Sequence, residues 1–132
     1  MALVAHQPRP TRQVFEDHLE KRRRGLLEED LAANYAEDVV LLTVNSNGVG
    51  HDAIRHSAAR LDDQMPTPKF EFVAQQVNGR FALLIWRGYS SREGAIDGAD
   101  TFVIENGLIR LQTIHYRLVS PSQRPEDDTT PG

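Results

Sequence analysis

The feature that most constrains this chain is a change of hydrophobic period at Pro66 and Pro68. Ahead of the prolines, apolar residues recur at helical spacing; beyond them they alternate in segments divided by glycine turns. The two periods are not interchangeable, because a helix repeats every 3.6 residues and a strand every two. Thr11 is expected to cap a helix reaching about Arg24, with Val14, Phe15, His18, Leu19 and Arg22 on one face. Asp17 with Lys21, and Glu20 with Arg24, are spaced for outward ion pairs, and Gly25 suits the helix end. A second short helix carries Leu27, Leu31 and Tyr35 at i, i+4, i+8. The β-branched run VVLLTV, residues 39–44, reads as a strand, and NSNGVG as a turn. HDAIRHSAARL, residues 51–61, reads as a third helix with Asp52 in its first turn and Ile54, Ala58 and Leu61 facing inward. The prolines stop it.

Residues 70–77, 80–89, 96–105 and 108–119 read as strands. Asn78-Gly79 and Asn106-Gly107 are hairpin signals, and residues 92–94 form a longer turn. An antiparallel meander after three helices defines an α+β class. Residues 1–10 and 120–132, proline-containing and without periodicity, are expected to be flexible around one domain at 11–119.

Composition excludes several functions. The 132 residues include no cysteine, which removes thiolate nucleophiles, cysteine zinc sites and disulfides, and fits a reducing compartment. A formal net charge of −4 without a basic stripe argues against nucleic acid. No apolar run approaches the ~20 residues of a membrane span. The first ten residues lack the cationic and apolar regions of a signal peptide, so the expected address is cytoplasmic. No Gly-rich phosphate loop or Gly-x-Ser-x-Gly elbow occurs, and no two histidines have the i,i+4 spacing of a helical metal site; neither metal nor cofactor is expected.

Three stretches carry a family resemblance: DLAANYAEDVVLL, GHDAIR and DGADTFVIENGLIRLQTIHY. In order and spacing they resemble the SnoaL-like branch of the nuclear transport factor 2-like superfamily, which includes polyketide cyclases. The resemblance spans about residues 12–118. It implies a cone of three N-terminal helices packed in a curved, mostly antiparallel sheet, with a mainly apolar pocket. It also implies homodimerisation through the outer sheet face. It does not imply one chemistry, since the superfamily holds cyclases, isomerases, epoxide hydrolases, dehydratases and non-catalytic binders.

Asp100 is the most informative candidate. By the two-residue period it shares a strand face with Ile96, Gly98, Phe102 and Ile104. A carboxylate in such company is either held by structural partners or is a pocket acid or base with a raised pKa. The resemblance places Asp100 where SnoaL-like cyclases keep their catalytic Asp. Ketosteroid isomerases keep a protonated oxyanion-hole Asp at the similar position. The isomerases' general base would fall near Thr43 and their oxyanion tyrosine near Leu19, so that chemistry is not expected. The last-strand Asp of limonene-type epoxide hydrolases would fall at Ile114.

The final hairpin decides the neighbours of Asp100. A two-residue Asn-Gly loop pairs Glu105 with Leu108 and sets Asp100 opposite Thr113, beside Leu111 and His115. A three-residue loop with a bulge pairs Ile104 with Leu108 and sets Asp100 opposite Gln112, with Ile114 and Tyr116 on its face. The resemblance favours the second. Asp100, Gln112 and Tyr116 are therefore the expected catalytic group, with Phe102, Ile114, Trp86, His18 and Tyr35 as ligand-binding residues and His115 on the outer face. His18 reads as a core or pocket-rim histidine, His51 as a turn residue, and Arg22, Arg23 and Arg24 as a solvated helix face. The expected ligand is a small hydrophobic molecule. The expected activity is a cofactor-independent isomerase, cyclase, hydrolase or lyase type; the alternative is a non-catalytic binding or dimeric interaction module.

Overall fold

The computed structural model describes residues 7–120, so the expectations for residues 1–6 and for the tail beyond Ser120 lie outside the described residues. In chain order the elements are α1 (Thr11–Arg23), α2 (Leu27–Asn34), β1 (Tyr35–Thr43), β2 (Asn47–Val49), α3 (His51–Gln64), β3 (Lys69–Asn78), β4 (Phe81–Tyr89), β5 (Gly94–Glu105) and β6 (Leu108–Val119). The strands form one sheet in the order β2-β1-β6-β5-β4-β3. All its pairings are antiparallel except β1 with β6, which is parallel. The result is the expected α+β cone, with the helices on the concave face of a curved, mostly antiparallel sheet.

Local departures from the expected elements have physical reasons. Pro10, not Thr11, stands at the N-cap of α1; its φ of −62° and ψ of 154° enter the helix, and its carbonyl accepts the Val14 N–H at 3.1 Å. Asp17 and Lys21 pair at 2.8 Å as expected, but Glu20 takes Arg23 at 3.2 Å rather than Arg24, which is the C-cap. Gly25 follows with a φ of +72°, where a side chain would be strained. Tyr35 does not extend α2. It opens β1, because the parallel partner β6 supplies Ile109 opposite it. Within the NSNGVG turn, β2 pairs back onto β1.

Besides a larger register shift in β1 between Tyr35 and Val40 against β6, the sheet carries three bulges, each adding one residue to one strand. Val73 is the extra residue of β3, Arg110 that of β6, and the third lies in β5 at Ile96–Asp97, where Asp97 has a φ of +56°. The β5 bulge corrects the face expected for Ile96. Ala95, fully buried, joins Gly98, Asp100, Phe102 and Ile104 on the concave side, and Ile96 turns away. The Arg110 bulge likewise brings Ile109 into the core beside Ile104 instead of leaving it with Leu111 and His115. Phe15 packs edge-on to Phe102 at 5.3 Å, and Val14, Leu19, Leu31, Val39, Leu41 and Met65 complete the core around them.

The segment before α1 is not loose at Arg9. Its guanidinium donates to Asn34 Oδ1 at 3.0 Å, to the Ala33 carbonyl at 2.6 Å and to the Gly107 carbonyl at 3.0 Å. One side chain thus joins the C-terminus of α2 to the β5–β6 turn. Arg9→Ala removes those bonds and is expected to cost about 1–2 kcal/mol, since the group is only partly buried. A melting temperature unchanged from the parent would show that the clamp contributes nothing.

Candidate functional site

The site starts from the geometry of the β5–β6 hairpin. Asn106 and Gly107 both have positive φ, +53° and +75°, which makes a two-residue turn with Glu105 opposite Leu108. The Arg110 bulge then shifts the register, so that Asp100 stands opposite Ile114. The two-residue loop and its Glu105–Leu108 pairing are as the first expectation has them, neither expectation gives the residue opposite Asp100, and the face is that of the second: Gln112 and Tyr116 are the diagonal neighbours of Asp100. The bulge, not a longer loop, brings them there, and His115 falls on the exposed outer side.

Asp100 is buried and both of its oxygens are held. Oδ1 accepts the Trp86 indole N–H at 2.9 Å, and Oδ2 accepts the Gln112 amide N–H at 3.0 Å. Gln112 in turn accepts the Tyr35 hydroxyl at 2.5 Å, completing a buried chain from β1 to β4. Gly98 makes the chain possible. It pairs with Trp86, and a Cβ there would stand 2.5 Å from the indole carbons Cδ2 and Cε2. Only a residue without a side chain lets the indole lie across β5 and reach the carboxylate. No salt bridge involves Asp100 among the described residues. Desolvation pushes its pKa up to about 6, and the hydrogen bonds from Trp86 and Gln112 work against that rise.

A second polar unit faces the same cavity. His18 on α1 shares a hydrogen between Nδ1 and Asp30 Oδ2 at 2.7 Å, and both residues are buried. Asp30 Oδ1 accepts from Asn34, which donates also to Asp17. This orients the imidazole between the edges of Tyr35 and Phe102, with ring centroids 5.6 and 5.2 Å away. His18 Nε2 has no protein partner among the described residues. Asp30 is not recognisable from the sequence, because the acidic first turn of α2 has the ordinary look of a solvated helix start. The one available signal is Asp30 and Asn34, four residues apart and flanking the Leu27–Leu31 stripe.

The cavity enclosed by these groups is about 70 Å³. Of the expected residues, His18, Tyr35, Trp86, Asp100, Gln112, Ile114 and Tyr116 line it. Phe102 does not; it lies deeper, against Phe15 and His18. Tyr116 is apart from the Asp100 chain, and its hydroxyl donates to Gln64 Oε1 at the end of α3 at 2.6 Å. The remaining wall comes from Ile54, Ser57, Ala58 and Leu61 of α3, Phe70 and Phe72 of β3, Leu84 of β4, and Leu19 and Arg22 of α1. The charge run predicts a solvated face for all three arginines; Arg23 and Arg24 are exposed, but Arg22 is partly buried at the cavity. His51 is the first residue of α3 rather than a turn residue, its Nε2 lying 3.1 Å from the Tyr35 carbonyl, and His56 is exposed. Among the described residues no group of three or more His, Asp or Glu is placed to hold a metal, and no helix is long and apolar enough to cross a membrane.

The model of the SnoaL-like domain matches residues 12–112. The chain belongs to that family. Its fold is shared by many solved structures at low identity. A nuclear transport factor 2-like protein from Burkholderia thailandensis is 16% identical with a TM-score of 0.68, over 83% of this chain and 92% of that one. A candidate SnoaL-like polyketide cyclase from Mesorhizobium loti is 16% identical with a TM-score of 0.62, over 80% and 97%. A candidate hydroxylase from Streptomyces galilaeus is 8% identical with a TM-score of 0.62, over 81% and 88%. No curated protein matches the chain.

The raised pKa of Asp100 makes the folded state the better proton binder. Its contribution to stability is fully present below the unfolded value of 3.8 and is lost as pH rises through about 6. Asp100→Asn removes that loss, and an inverted Gln112 amide can still satisfy the new side chain. The variant's stability relative to the parent should therefore improve between pH 4 and 7, by at most about 3 kcal/mol. Thermal unfolding across that range checks it; an Asn variant that loses ground as pH rises would mark Asp100 as a purely structural carboxylate.

Proposed function

We propose that this SnoaL-like protein is a cofactor-independent acid–base catalyst acting on a small hydrophobic molecule bound in the cone. The observation that carries the reading is Asp100: a carboxylate buried at an apolar cavity, with its pKa raised to about 6 and no ion-pair partner among the described residues. A base whose pKa lies near the working pH is both largely ionised and basic enough to take a proton. Trp86 and Gln112 each occupy one oxygen, and each oxygen keeps a further acceptor site for a substrate proton. In this proposal Asp100 takes a proton and returns it elsewhere, the step common to isomerases, cyclases and lyases. Gln112 holds Asp100 in place. Tyr116 exchanges Gln64 for a ligand oxygen, and His18, fixed by Asp30, serves as a second proton carrier.

The second reading is a non-catalytic binding module. It extends to a dimeric interaction module without a ligand, which the size of the cavity favours: at about 70 Å³ it has room for only a few waters. A larger ligand enters by displacing the partly exposed side chains of Phe70, Phe72, Leu61 and Tyr116. The readings separate without knowledge of the natural substrate. Exchange of the α-hydrogens of cyclohexanone in deuterated water, followed by proton NMR, should be faster with the protein. The rate should rise with pH through about 6, and Asp100→Asn should lower it about 10²–10⁴-fold. No acceleration over buffer would favour the binding module.

We also propose that the chain dimerises through the outer face of the sheet, in a reducing compartment such as the cytoplasm. Val40, Leu83, Ile85, Val103 and Leu111 remain partly exposed there, and Leu42 is 40% exposed. With the concave face filled by helices, this second apolar face calls for a cover. Sedimentation at micromolar concentration should give a mass of two chains, and Leu111→Glu should give one; a monomeric parent would overturn the dimer.

A further inference from the structure

Arg22 is the charged residue of the cavity that the acid–base reading leaves unused. It follows His18 and Leu19 by four and three residues on α1, so the turn of the helix sets it on the cavity face with them. Several other arginines of the described chain are engaged. Arg9 clamps Asn34, Arg23 pairs with Glu20 and lies 4.7 Å over the Phe72 ring, Arg55 grips Glu28 and Asp52, and Arg60 donates to Ser46. The side chain of Arg22, partly buried, has no hydrogen bond and no ion pair among the described residues. The one carboxylate in the cavity does not take it: the hydrogen bonds of Asp100 go to Trp86 and Gln112, and no ion pair joins it to Arg22. Arg22 is near enough for its charge to favour the ionised form of Asp100, yet it makes no contact pair with it.

A guanidinium carries five donors in a planar fork that matches a carboxylate two by two. Held beside an apolar wall and left unpaired, such a group is a receptor for a planar oxyanion. We propose that Arg22 is the anion-recognising residue of the cone, and that its ligand is a small molecule with an apolar ring or chain ending in a carboxylate. This rests on the reading of the cone as a small-molecule pocket and adds the class of molecule. It also divides the labour: Arg22 anchors the acidic end of the ligand, while Asp100 meets the hydrogen to be moved. The separation of the two charges is what keeps both free for the ligand.

The test uses cyclohexanecarboxylate and its neutral amide, which share shape and differ in charge. Trp86, the single tryptophan, lines the cavity and reports binding by its fluorescence. The parent should bind the carboxylate about ten- to a hundredfold more tightly than the amide, and added salt should narrow the gap. Arg22→Gln should abolish the preference and leave the affinity for the amide unchanged. Arg22→Lys, which keeps the charge without the fork, should restore part of it. Because the Arg22 side chain has no hydrogen-bond or ion-pair partner to lose, Arg22→Gln should melt within about 2 °C of the parent. If the parent binds amide and carboxylate equally, or if Arg22→Gln keeps the preference, the anion site is overturned and the pocket stands. If neither probe binds, the pocket reading falls with it.

Discussion

Burying a carboxylate without a cation costs several kcal/mol unless its oxygens are bonded, and much of this fold is arranged around that constraint at Asp100. Trp86 and Gln112 supply the two donors, and each needs a condition of its own. Trp86 can cross the sheet only because Gly98 presents no side chain beneath the indole. Gln112 is pinned from the other side by Tyr35, which is available because β1 begins at that residue. The carboxylate is thereby poised between its two forms: its bonds favour the charge and its burial opposes it. The balance leaves the group titrating near pH 6.

The bulges explain how one strand face can serve both core and site. Strict alternation along β6 from the fully buried Ile109 would turn Leu111 and Thr113 inward and Gln112 out. The extra residue Arg110 resets the phase, so Ile109 and Gln112 both point into the cone. The β5 bulge does the same between Ala95 and Gly98. Each places an apolar residue on one side of the irregularity and the polar apparatus on the other.

The fold is largely legible in the sequence, because it rests on periodicity and turn chemistry: the helical spacing of Val14, Phe15 and Leu19, the stops at Pro66 and Pro68, and Asn106-Gly107. Bulges leave no comparable mark. Arg110 and Asp97 look like ordinary outward residues, so the register of Asp100, and the faces of Ile96 and Ile109, cannot be read from alternation alone. Asp100, Gln112, Trp86 and Tyr35 are identifiable as polar or amphipathic residues on apolar elements. Asp30 and the inward turn of Arg22 are not. Both residues sit in charge-rich helical runs, LEED and KRRR, where one residue of several turns inward, and only the rotation set by the packed helix decides which.

That rotation links the two polar units of the cone. On α1 the residues that fill the core, Val14, Phe15 and Leu19, occupy the stripe that also carries His18 and Arg22, so packing the apolar side chains necessarily aims the polar ones. Phe102 completes the arrangement from the sheet. It closes the inner end of the cone against Phe15 and His18, while Asp100, two residues earlier on the same face, lines the cavity. The step from Phe102 to Asp100 is thus the boundary between core and site. His18 belongs to both, with its ring packed on Phe102, one nitrogen committed to Asp30 and the other left to the cavity. A helix and a strand meeting along this line put proton-transfer groups at the edge of a rigid apolar core, where their positions are set by packing that a ligand does not disturb.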